Sequence, residues 1–177
     1  MRVISGKYKG KKLDGFDIDG TRPTMDRVKE SLFGIIQMKV KNSIVLDLFA
    51  GSGSLGIEAL SNGANTCYFV DNSSMTMKIL KNNLSNIGNS IILDKDYMEA
   101  LIYFAKKNIK FDIIFLDPPY NLLLINSCIK YIQDNNLLNK QGIIICEYEK
   151  EIIKKLSYTI KKEKKYGTTN IMILENK

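Results

Sequence analysis

Short apolar runs alternate with amphipathic stretches along most of this chain. The apolar runs predict strands at Ile44–Leu48, Thr66–Val70, Ser90–Leu93, Phe111–Leu116 and Gly142–Cys146. Helical spacing of apolar residues between them predicts helices at Leu55–Leu60, Met75–Ile87, Met98–Lys106 and Asn126–Asp134. Because strands that alternate with helices form βαβ units, the pattern predicts an α/β fold with a parallel sheet covered on both faces.

The N-terminal region departs from this alternation. Residues 1–22 interleave basic residues with glycines, and the short alternating pieces Arg2–Ser5 and Lys11–Leu13 predict a small β-hairpin. An amphipathic helix is then predicted from Thr24 to about Met38, with Asp26 in its first turn.

The C-terminal region departs from it as well. Two β-like runs, Leu156–Lys161 and Asn170–Leu174, are joined through Tyr166-Gly167 with no helix between them. This arrangement predicts a hairpin at the sheet edge and therefore one antiparallel terminal strand. We divide the chain into a basic N-terminal extension, residues 1–22, and a main domain, residues 23–177.

Composition narrows the functional classes. The 177 residues fit one domain, and the formal charge of +7 fits a polyanionic partner or, equally well, a lysine-rich solvated surface. The absence of histidine excludes Ser-His-Asp and Cys-His catalysis, and we expect no metal site. Cys67, Cys128 and Cys146 lie in apolar runs, which indicates buried thiols in a reducing compartment. With no signal core or membrane-length apolar run, we expect a cytoplasmic monomer without membrane contact.

A glycine-rich turn follows the first predicted strand of the main domain. In Asp47–Gly56, Gly51, Gly53 and Gly56 satisfy the spacing G-x-G-x-x-G, and Asp71 ends the next strand. Glycines let the backbone approach a ligand closely, and an acid in that position can accept hydrogen bonds from ribose hydroxyls. The motif indicates a nucleotide-like ligand, with a purely structural turn as the alternative.

Asp47 distinguishes between two candidate ligands, NAD and S-adenosylmethionine. At the end of the strand, its carboxylate would repel the pyrophosphate of NAD, but it can hold the ammonium group of S-adenosylmethionine. The charge pattern therefore favours the methyl donor. Asp96 and Tyr97 follow the third strand, where Asp96 can accept from the adenine amino group or serve as a helix N-cap.

Asp117-Pro118-Pro119-Tyr120 follows the fourth strand, at the sheet edge where open α/β folds bind ligands. The prolines fix the backbone and leave carbonyl groups free to accept hydrogen bonds. Acceptors from Asp117 and the Pro118 carbonyl can hold both hydrogens of an exocyclic amine, while Tyr120 can stack on a flipped base. The tetrapeptide predicts methylation of an amino nitrogen on a nucleic-acid base; a proline-rich turn is the alternative.

Basic residues near the N-terminus are candidate RNA contacts. In the stretch Arg22–Phe33, Arg22, Arg27 and Lys29 can contact phosphates or the donor's carboxylate, or else form a solvated helix face on which Asp26 pairs with Lys29. We predict RNA contacts from six residues: Lys7, Lys9, Lys11, Lys12, Arg22 and Arg27.

Three blocks together resemble a known family. They read Arg-Pro-Thr-x-Asp-Arg-Val-Lys-Glu-x-Leu-Phe, Asp-Leu-Phe-Ala-Gly-Ser-Gly-x-Leu-Gly-x-Glu-Ala-Leu and Asp-Pro-Pro-Tyr. In this order they resemble the bacterial methyltransferases that form N2-methylguanosine in 16S ribosomal RNA of the small subunit. The resemblance covers nearly the whole chain, and the first block is the most selective of the three.

The resemblance implies a Rossmann-like class I methyltransferase fold with a seven-stranded, mostly parallel sheet. It implies S-adenosylmethionine as cofactor, with ribosomal RNA and the small-subunit ribonucleoprotein as partners. By position, Asp47, Gly51 and Gly53 would hold the methionine part, Asp71 the ribose and Asp96 the adenine. The full set of cofactor-binding candidates is Asp47, Phe49, Ala50, Gly51, Ser52, Gly53, Asp71, Asn72, Asp96 and Tyr97. Asp117, Pro118, Pro119 and Tyr120 would hold the target base.

Departures from the family pattern are mild. Lys29 stands where arginine is usual, Gly34 where asparagine is common and Asp71 where glutamate is frequent. Three alternatives stay open: methylation of another DNA or RNA base or of a protein, a non-catalytic RNA-binding protein, and a nicotinamide oxidoreductase. Asp47 and the absence of histidine disfavour the last, and the intact Asp117–Tyr120 motif disfavours the second.

Overall fold

The computed structural model describes residues 1–15, 22–119, 124–150, 153–154 and 157–176, with the side chains of residues 22–25 left out. Within these ranges, five helices and seven strands follow the predicted alternation. They are α1 (Arg22–Val40), β1 (Ile44–Asp47), α2 (Ser54–Ser61), β2 (Thr66–Asp71), α3 (Ser74–Leu84), β3 (Ser90–Asp94), α4 (Tyr97–Lys106), β4 (Phe111–Leu116), α5 (Ile125–Asp134), β5 (Leu138–Tyr148), β6 (Thr159–Tyr166) and β7 (Thr169–Glu175).

The strands form one sheet in the order β3-β2-β1-β4-β5-β7-β6. Neighbouring strands from β3 through β5 are parallel, whereas β7, the last strand of the chain, is antiparallel to both β5 and β6. After β1 the chain moves towards β3, and it then returns to place β4 on the other side of β1. Such a reversal leaves a crevice at the carboxyl ends of the strands. The predicted α/β fold with one antiparallel strand is confirmed.

Each face of the sheet carries its own apolar core. On one face, α1, α2 and α3 cover inward residues such as Val45, Phe69 and Phe115. On the other face, α4 and α5 cover the alternate residues, among them Leu46 and Ile114. Burial on both sides explains why the central strands read as continuous apolar runs instead of alternating ones.

The N-terminal segment folds back on itself and packs against α2. An antiparallel bridge joins Arg2 to Lys12, and the Val3 N–H donates to the Lys11 carbonyl at 3.0 Å. Val3 and Leu13 are buried in the same core as α1 and α2. Residues 1–15 therefore form a hairpin-like loop that shares the core of the main domain, and the division of the chain at residue 22 stays a prediction.

A buried ion pair anchors this segment. The Lys29 ammonium lies 3.3 Å from a Glu58 carboxylate oxygen, and the two side chains are 5% and 0% exposed. Glu58 also accepts from the Ile4 and Ser5 N–H groups, each at 2.9 Å, while Lys29 donates to the Arg2 carbonyl at 2.6 Å. Desolvation by burial lowers the pKa of Lys29 in spite of its attraction to Glu58. The predicted solvated helix face is wrong at Lys29, because Lys29 is buried against Glu58. Asp26 still attracts the Lys29 ammonium, and a contact of Lys29 with the donor's carboxylate stays a prediction.

Some element boundaries differ from the predictions. Helix α1 begins at Arg22, two residues before the predicted Thr24, so that Asp26 lies beyond its first turn. Strand β5 begins at Leu138 rather than Gly142, and β6 spans Thr159–Tyr166 rather than Leu156–Lys161. In both cases polar residues occupy exposed strand positions, where burial sets no apolar pattern. None of the described helices is both long and apolar enough to cross a membrane.

Candidate active site

The glycine-rich turn between β1 and α2 depends on the conformational freedom of glycine. Gly51 and Gly53 have positive φ angles of 54° and 80°, a region that residues with a Cβ rarely occupy. A Cβ on Gly53 would lie 2.6 Å from the Leu80 side chain, and one on Gly56 would lie 2.3 Å from the Phe69 ring. The first two glycines therefore shape the turn, and Gly56 lets α2 pack closely on β2.

Asp47 occupies the end of β1 beneath this turn. Its carboxylate accepts a hydrogen bond from the Gly56 N–H at 3.0 Å, and the residue is only 2% exposed. Burial raises the pKa of Asp47 to about 7, the Gly56 hydrogen bond opposes the rise, and repulsion from Asp71 adds to it. A positive ligand group beside Asp47 would relieve the cost of burying this carboxylate.

Asp71 at the end of β2 links the turn to the start of α3. Its carboxylate accepts from the Gly51 N–H at 3.0 Å and from the Ser73 N–H at 3.0 Å. These bonds hold the turn against the strand end and fix the side chain at the sheet edge, which is where the sequence placed a ribose acceptor.

Asp96 and Tyr97 open helix α4 beside the same edge. Asp96 caps the helix by accepting from the Met98 N–H at 2.9 Å, which confirms the N-cap alternative for this residue. The Tyr97 ring lies against Phe49, with centroids 5.4 Å apart and ring planes tilted by 35°. The two rings form an apolar wall on which a flat ligand ring can stack.

The Asp117-Pro118-Pro119 segment follows β4 directly. Asp117 is partly accessible, Pro118 is buried and Pro119 is exposed. Desolvation raises the pKa of Asp117 well above its usual range, and repulsion from Glu147 and then from Asp47 adds to the rise. Tyr120, the proposed stacking residue, lies outside the described residues.

One cavity of about 1070 Å³ brings these groups together. Its wall contains most of the residues that the sequence predicted to contact donor or base: Asp47, Phe49, Ala50, Gly51, Ser52, Asp71, Asn72, Asp96, Tyr97, Asp117, Pro118 and Pro119. Gly53 is not among the residues of this wall, because it lies behind the turn against Leu80. The glycine turn and the Asp117 segment thus face one shared space.

Three of the polar residues that sequence reasoning missed in this region are Glu147, Glu149 and Asn83. Glu147 and Glu149, at the end of β5, line the cavity. The same strand-end rule that identified Asp117 points to Glu147, since β5 is parallel to β4. Asn83 on α3 donates to the carbonyls of Asp14 and Ser52, each at 2.9 Å, and so ties the N-terminal segment to the glycine turn. No sequence motif marks Asn83.

Among the residues whose side chains the structure describes, the basic residues predicted to bind RNA are not part of the cavity wall. Lys7, Lys9, Lys12 and Arg27 are exposed, and Lys11 is half-buried. The Lys7 ammonium lies 5.3 Å from the centroid of the Tyr8 ring. The side chain of Arg22 lies outside the described residues. Lys7 lies at the far end of α2, where its N–H bonds the Ser61 carbonyl at 2.8 Å, whereas Lys12 bridges Arg2 beside Met1 of the cavity wall.

Comparisons with known proteins identify the family of this chain. The family model described as "Conserved hypothetical protein 95" matches residues 1–175. The chain is 37% identical to the "Putative rRNA methyltransferase YlbH" of Bacillus subtilis, over 100% of both sequences. It is 35% identical to "Ribosomal RNA small subunit methyltransferase D" of Haemophilus influenzae, over 99% of this chain and 94% of that protein.

A solved structure gives the same result. The "Putative methyltransferase yhhF" of Escherichia coli superposes with a TM-score of 0.87 at 31% identity, covering 100% of this chain and 98% of the other. The chain therefore belongs to the Conserved hypothetical protein 95 family, together with the ribosomal RNA methyltransferases to which it is similar.

Proposed function

We propose that this protein transfers a methyl group from S-adenosylmethionine to the exocyclic N2 nitrogen of a guanine in 16S ribosomal RNA. The observation that carries the proposal is the shared cavity, whose wall contains both Asp117 and Pro118 and the glycine turn. A relative's name, ribosomal RNA small subunit methyltransferase D, supports the substrate class. Mass spectrometry of 16S rRNA from cells with and without the gene tests the proposal, with the loss of one N2-methylguanosine expected.

The cavity fits S-adenosylmethionine by charge. The donor carries a sulfonium, an ammonium and one carboxylate, so it has a net positive charge, and carboxylates at three strand or helix boundaries face the cavity: Asp47, Asp71 and Asp96. Asp47 would hold the ammonium group, Asp71 the ribose hydroxyls and Asp96 the adenine amino group. A neighbour of the same fold, SMU.776, is 15% identical to this chain and was solved in complex with SAH.

Asp117 and Pro118 would prepare the target nitrogen. S-adenosylmethionine supplies an activated methyl group whose sulfur keeps the electron pair of the broken carbon–sulfur bond. The amine is a poor nucleophile, because its lone pair is delocalised into the ring. By accepting its two N–H hydrogens, the Asp117 carboxylate and the Pro118 carbonyl would orient the lone pair and stabilise the positive charge that develops. As the new N–C bond forms, one N–H proton passes to the Asp117 carboxylate or to water.

Donor binding is expected to depend on pH through Asp47. A cationic donor favours the carboxylate, so binding should lower the Asp47 pKa from its free-site value of about 7. Donor affinity should therefore be constant above that pH. Below it, protonation of Asp47 should lower the affinity by up to about tenfold per pH unit. Isothermal titration calorimetry between about pH 5.5 and 7.5 measures this dependence.

Asp47→Asn is the control for this dependence. Its amide oxygen can still accept from the Gly56 N–H, but the group does not titrate. The variant should bind the donor weakly and with a flatter pH profile. Asp117 and Glu147 titrate in the same cavity in both proteins, so only the difference between the two profiles reports on Asp47. Identical slopes in the two proteins would contradict the role of Asp47.

The exposed lysines of the N-terminal segment are proposed to contact rRNA phosphates. Replacing Lys9, Lys11 and Lys12 with glutamine should weaken RNA binding for any sequence. It should also lower the slope of log affinity against log salt by about 0.7–0.9 for each phosphate that the protein no longer neutralises. Fluorescence anisotropy with labelled 16S rRNA fragments at several salt concentrations measures both effects.

A matched triple substitution controls for net charge. Lys106, Lys107 and Lys110 are exposed and lie before β4, at the sheet edge opposite the cavity. Their replacement with glutamine removes the same charge and should leave the salt slope near that of the unmodified protein. Equal slopes for the two triple variants would show that the N-terminal lysines make no specific phosphate contact.

The proposed substrate is a small-subunit ribonucleoprotein particle rather than naked rRNA. The predicted N-terminal extension, residues 1–22, is short, and its described part, residues 1–15, shares the core of the main domain. It offers little surface for reading an RNA sequence, so a preformed RNA–protein surface would supply the remaining recognition. Reconstituted particles should be methylated faster than protein-free 16S rRNA, and equal rates would contradict this part of the proposal.

A further inference from the structure

Glu147 stands beside Asp117 at the carboxyl edge of the sheet. In the parallel ladder between β4 and β5, Leu116 pairs with Cys146, so Asp117 and Glu147 are the next residues on the two strands. Phe115 and Ile145, one step before that pair, both face the core under α1–α3. Because side chains alternate along a strand, the two carboxyl groups leave the sheet on that same face, and both line the cavity.

The Glu147 carboxylate has acceptor capacity that the described part of the chain does not use. Among the described residues, no N–H, O–H or ammonium group bonds to it. By contrast, Glu149, two residues further along, accepts from the Thr168 hydroxyl at 3.3 Å. Burial raises the pKa of Glu147 to about 7, and repulsion from Glu149 adds to the rise. A ligand that presents N–H donors to this edge would satisfy the acceptor and relieve the repulsion.

The bases differ in what they present to two adjacent carboxylates. Guanine has an N1–H directly beside its N2 amino group, so N1 and N2 present adjacent hydrogen-bond donors on the same edge of the base. Adenine and cytosine place a ring nitrogen with a lone pair beside their amino groups, and an ionised carboxylate repels that lone pair. An enzyme that flips its target base reads this edge by hydrogen bonding. Two adjacent carboxylates can therefore accept hydrogen bonds from N1 and N2 of guanine, and they disfavour binding of adenine and cytosine.

We propose that Glu147 selects guanine by accepting the N1–H of the target base while Asp117 and the Pro118 carbonyl accept the hydrogens of N2. This inference rests on the proposed N2 methylation and adds to it a residue that touches the substrate. Glu147 would contribute to specificity more than to chemistry, because N1 is not the atom that is methylated. A site built to bond a particular N–H can reject an analogue without it by up to about 10⁴-fold.

The test compares guanine with 2-aminopurine at the target position. 2-Aminopurine keeps the N2 amino group but has a lone pair at N1. Small subunits are reconstituted from 16S rRNA that carries either base by splinted ligation, and kcat/KM is measured with radiolabelled donor. The unmodified enzyme should prefer guanine by at least about 100-fold. Glu147→Gln, whose amide can donate to N1, should slow guanine methylation at least about tenfold and should hold or raise the rate on 2-aminopurine.

Two further variants and one further measurement distinguish a loss of base selection from a general loss of function. Glu99→Gln removes an exposed carboxylate in the first turn of α4 that is not among the residues of the cavity wall, and it should leave the guanine preference unchanged. Glu147→Asp keeps the carboxylate and should retain the guanine preference at a lower rate, which provides a second variant if Glu147→Gln does not fold. Donor affinity, measured by calorimetry, should stay within about threefold for each folded variant.

Two results overturn the proposals at different levels. A guanine preference that is the same in Glu147→Gln as in the unmodified enzyme would refute the role of Glu147 and leave N2 methylation standing. Failure of the unmodified enzyme to methylate N2 of guanine in any particle would refute the proposed function itself. Equal loss on both bases in Glu147→Gln is the first of these two results, and it is the result that a purely structural residue would give.

Discussion

Replacing Asp117 with alanine is expected to lower the rate of methyl transfer by at least about a hundredfold while the donor still binds. The carboxylate lies in the cavity wall at the end of β4, whereas the proposed donor contacts come from Asp47, Asp71 and Asp96. Its removal takes away an acceptor for the target amine and leaves those contacts in place. Single-turnover rates with reconstituted small subunits measure the chemical step, and calorimetry measures donor affinity.

Asp94→Ala is a suitable control for that experiment. Asp94 is an exposed carboxylate at the end of β3, and it is not among the residues of the cavity wall. The control should turn over at the rate of the unmodified enzyme. If Asp117→Ala lost donor binding and turnover to the same extent, Asp117 would be a donor-binding residue and its assignment to the target base would be wrong.

Glu58→Ala is expected to destabilise the fold by about 3–5 kcal/mol, the range found when one member of a buried ion pair is removed. The substitution leaves the Lys29 ammonium buried without its carboxylate, and it also removes the acceptor of the Ile4 and Ser5 N–H groups. A loss of this size is a large fraction of the stability of a typical domain. Urea unfolding followed by circular dichroism measures it.

Two further variants serve as comparisons for the loss of stability in Glu58→Ala. Glu58→Gln keeps an acceptor for one of the two backbone N–H groups, which bond to different oxygens of Glu58, and it should lose less stability than Glu58→Ala. Glu99→Ala removes an exposed carboxylate from the first turn of α4, and its stability should stay within about 1 kcal/mol of the unmodified protein. If Glu58→Ala were as stable as Glu99→Ala, the pair with Lys29 would not anchor the N-terminal segment.

Most of the fold could be predicted from the sequence, because the central strands are buried on both faces. Their apolar runs predicted β1–β4 to within one residue at either end. Strand β6 was placed too early, since Lys161–Lys165 is an exposed and charged stretch on the edge strand. Apolar periodicity carries information only where one side of an element is buried, so the edge strand gave a weak signal.

The candidate site was predictable where one rule applied: a carboxylate at the carboxyl end of a parallel strand faces the ligand crevice. That rule located Asp47, Asp71 and Asp117. It applies equally to Glu147, which directly follows the predicted end of β5 at Cys146, but Glu147 belongs to none of the sequence motifs and was not singled out. The burial of Lys29 was not predictable from helix spacing, since its partner Glu58 lies on another helix. Contacts between distant elements depend on packing that no local pattern encodes.

The central claim, N2 methylation of a 16S rRNA guanine, is tested most directly by mass spectrometry of 16S rRNA from cells that lack the gene. We predict that one N2-methylguanosine is missing from the 16S rRNA of these cells. It should return when the unmodified protein is expressed, but not when Asp117→Ala is expressed at an equal protein level. An unchanged set of N2-methylguanosines in the deletion strain, together with the loss of a different methylated base, would contradict it.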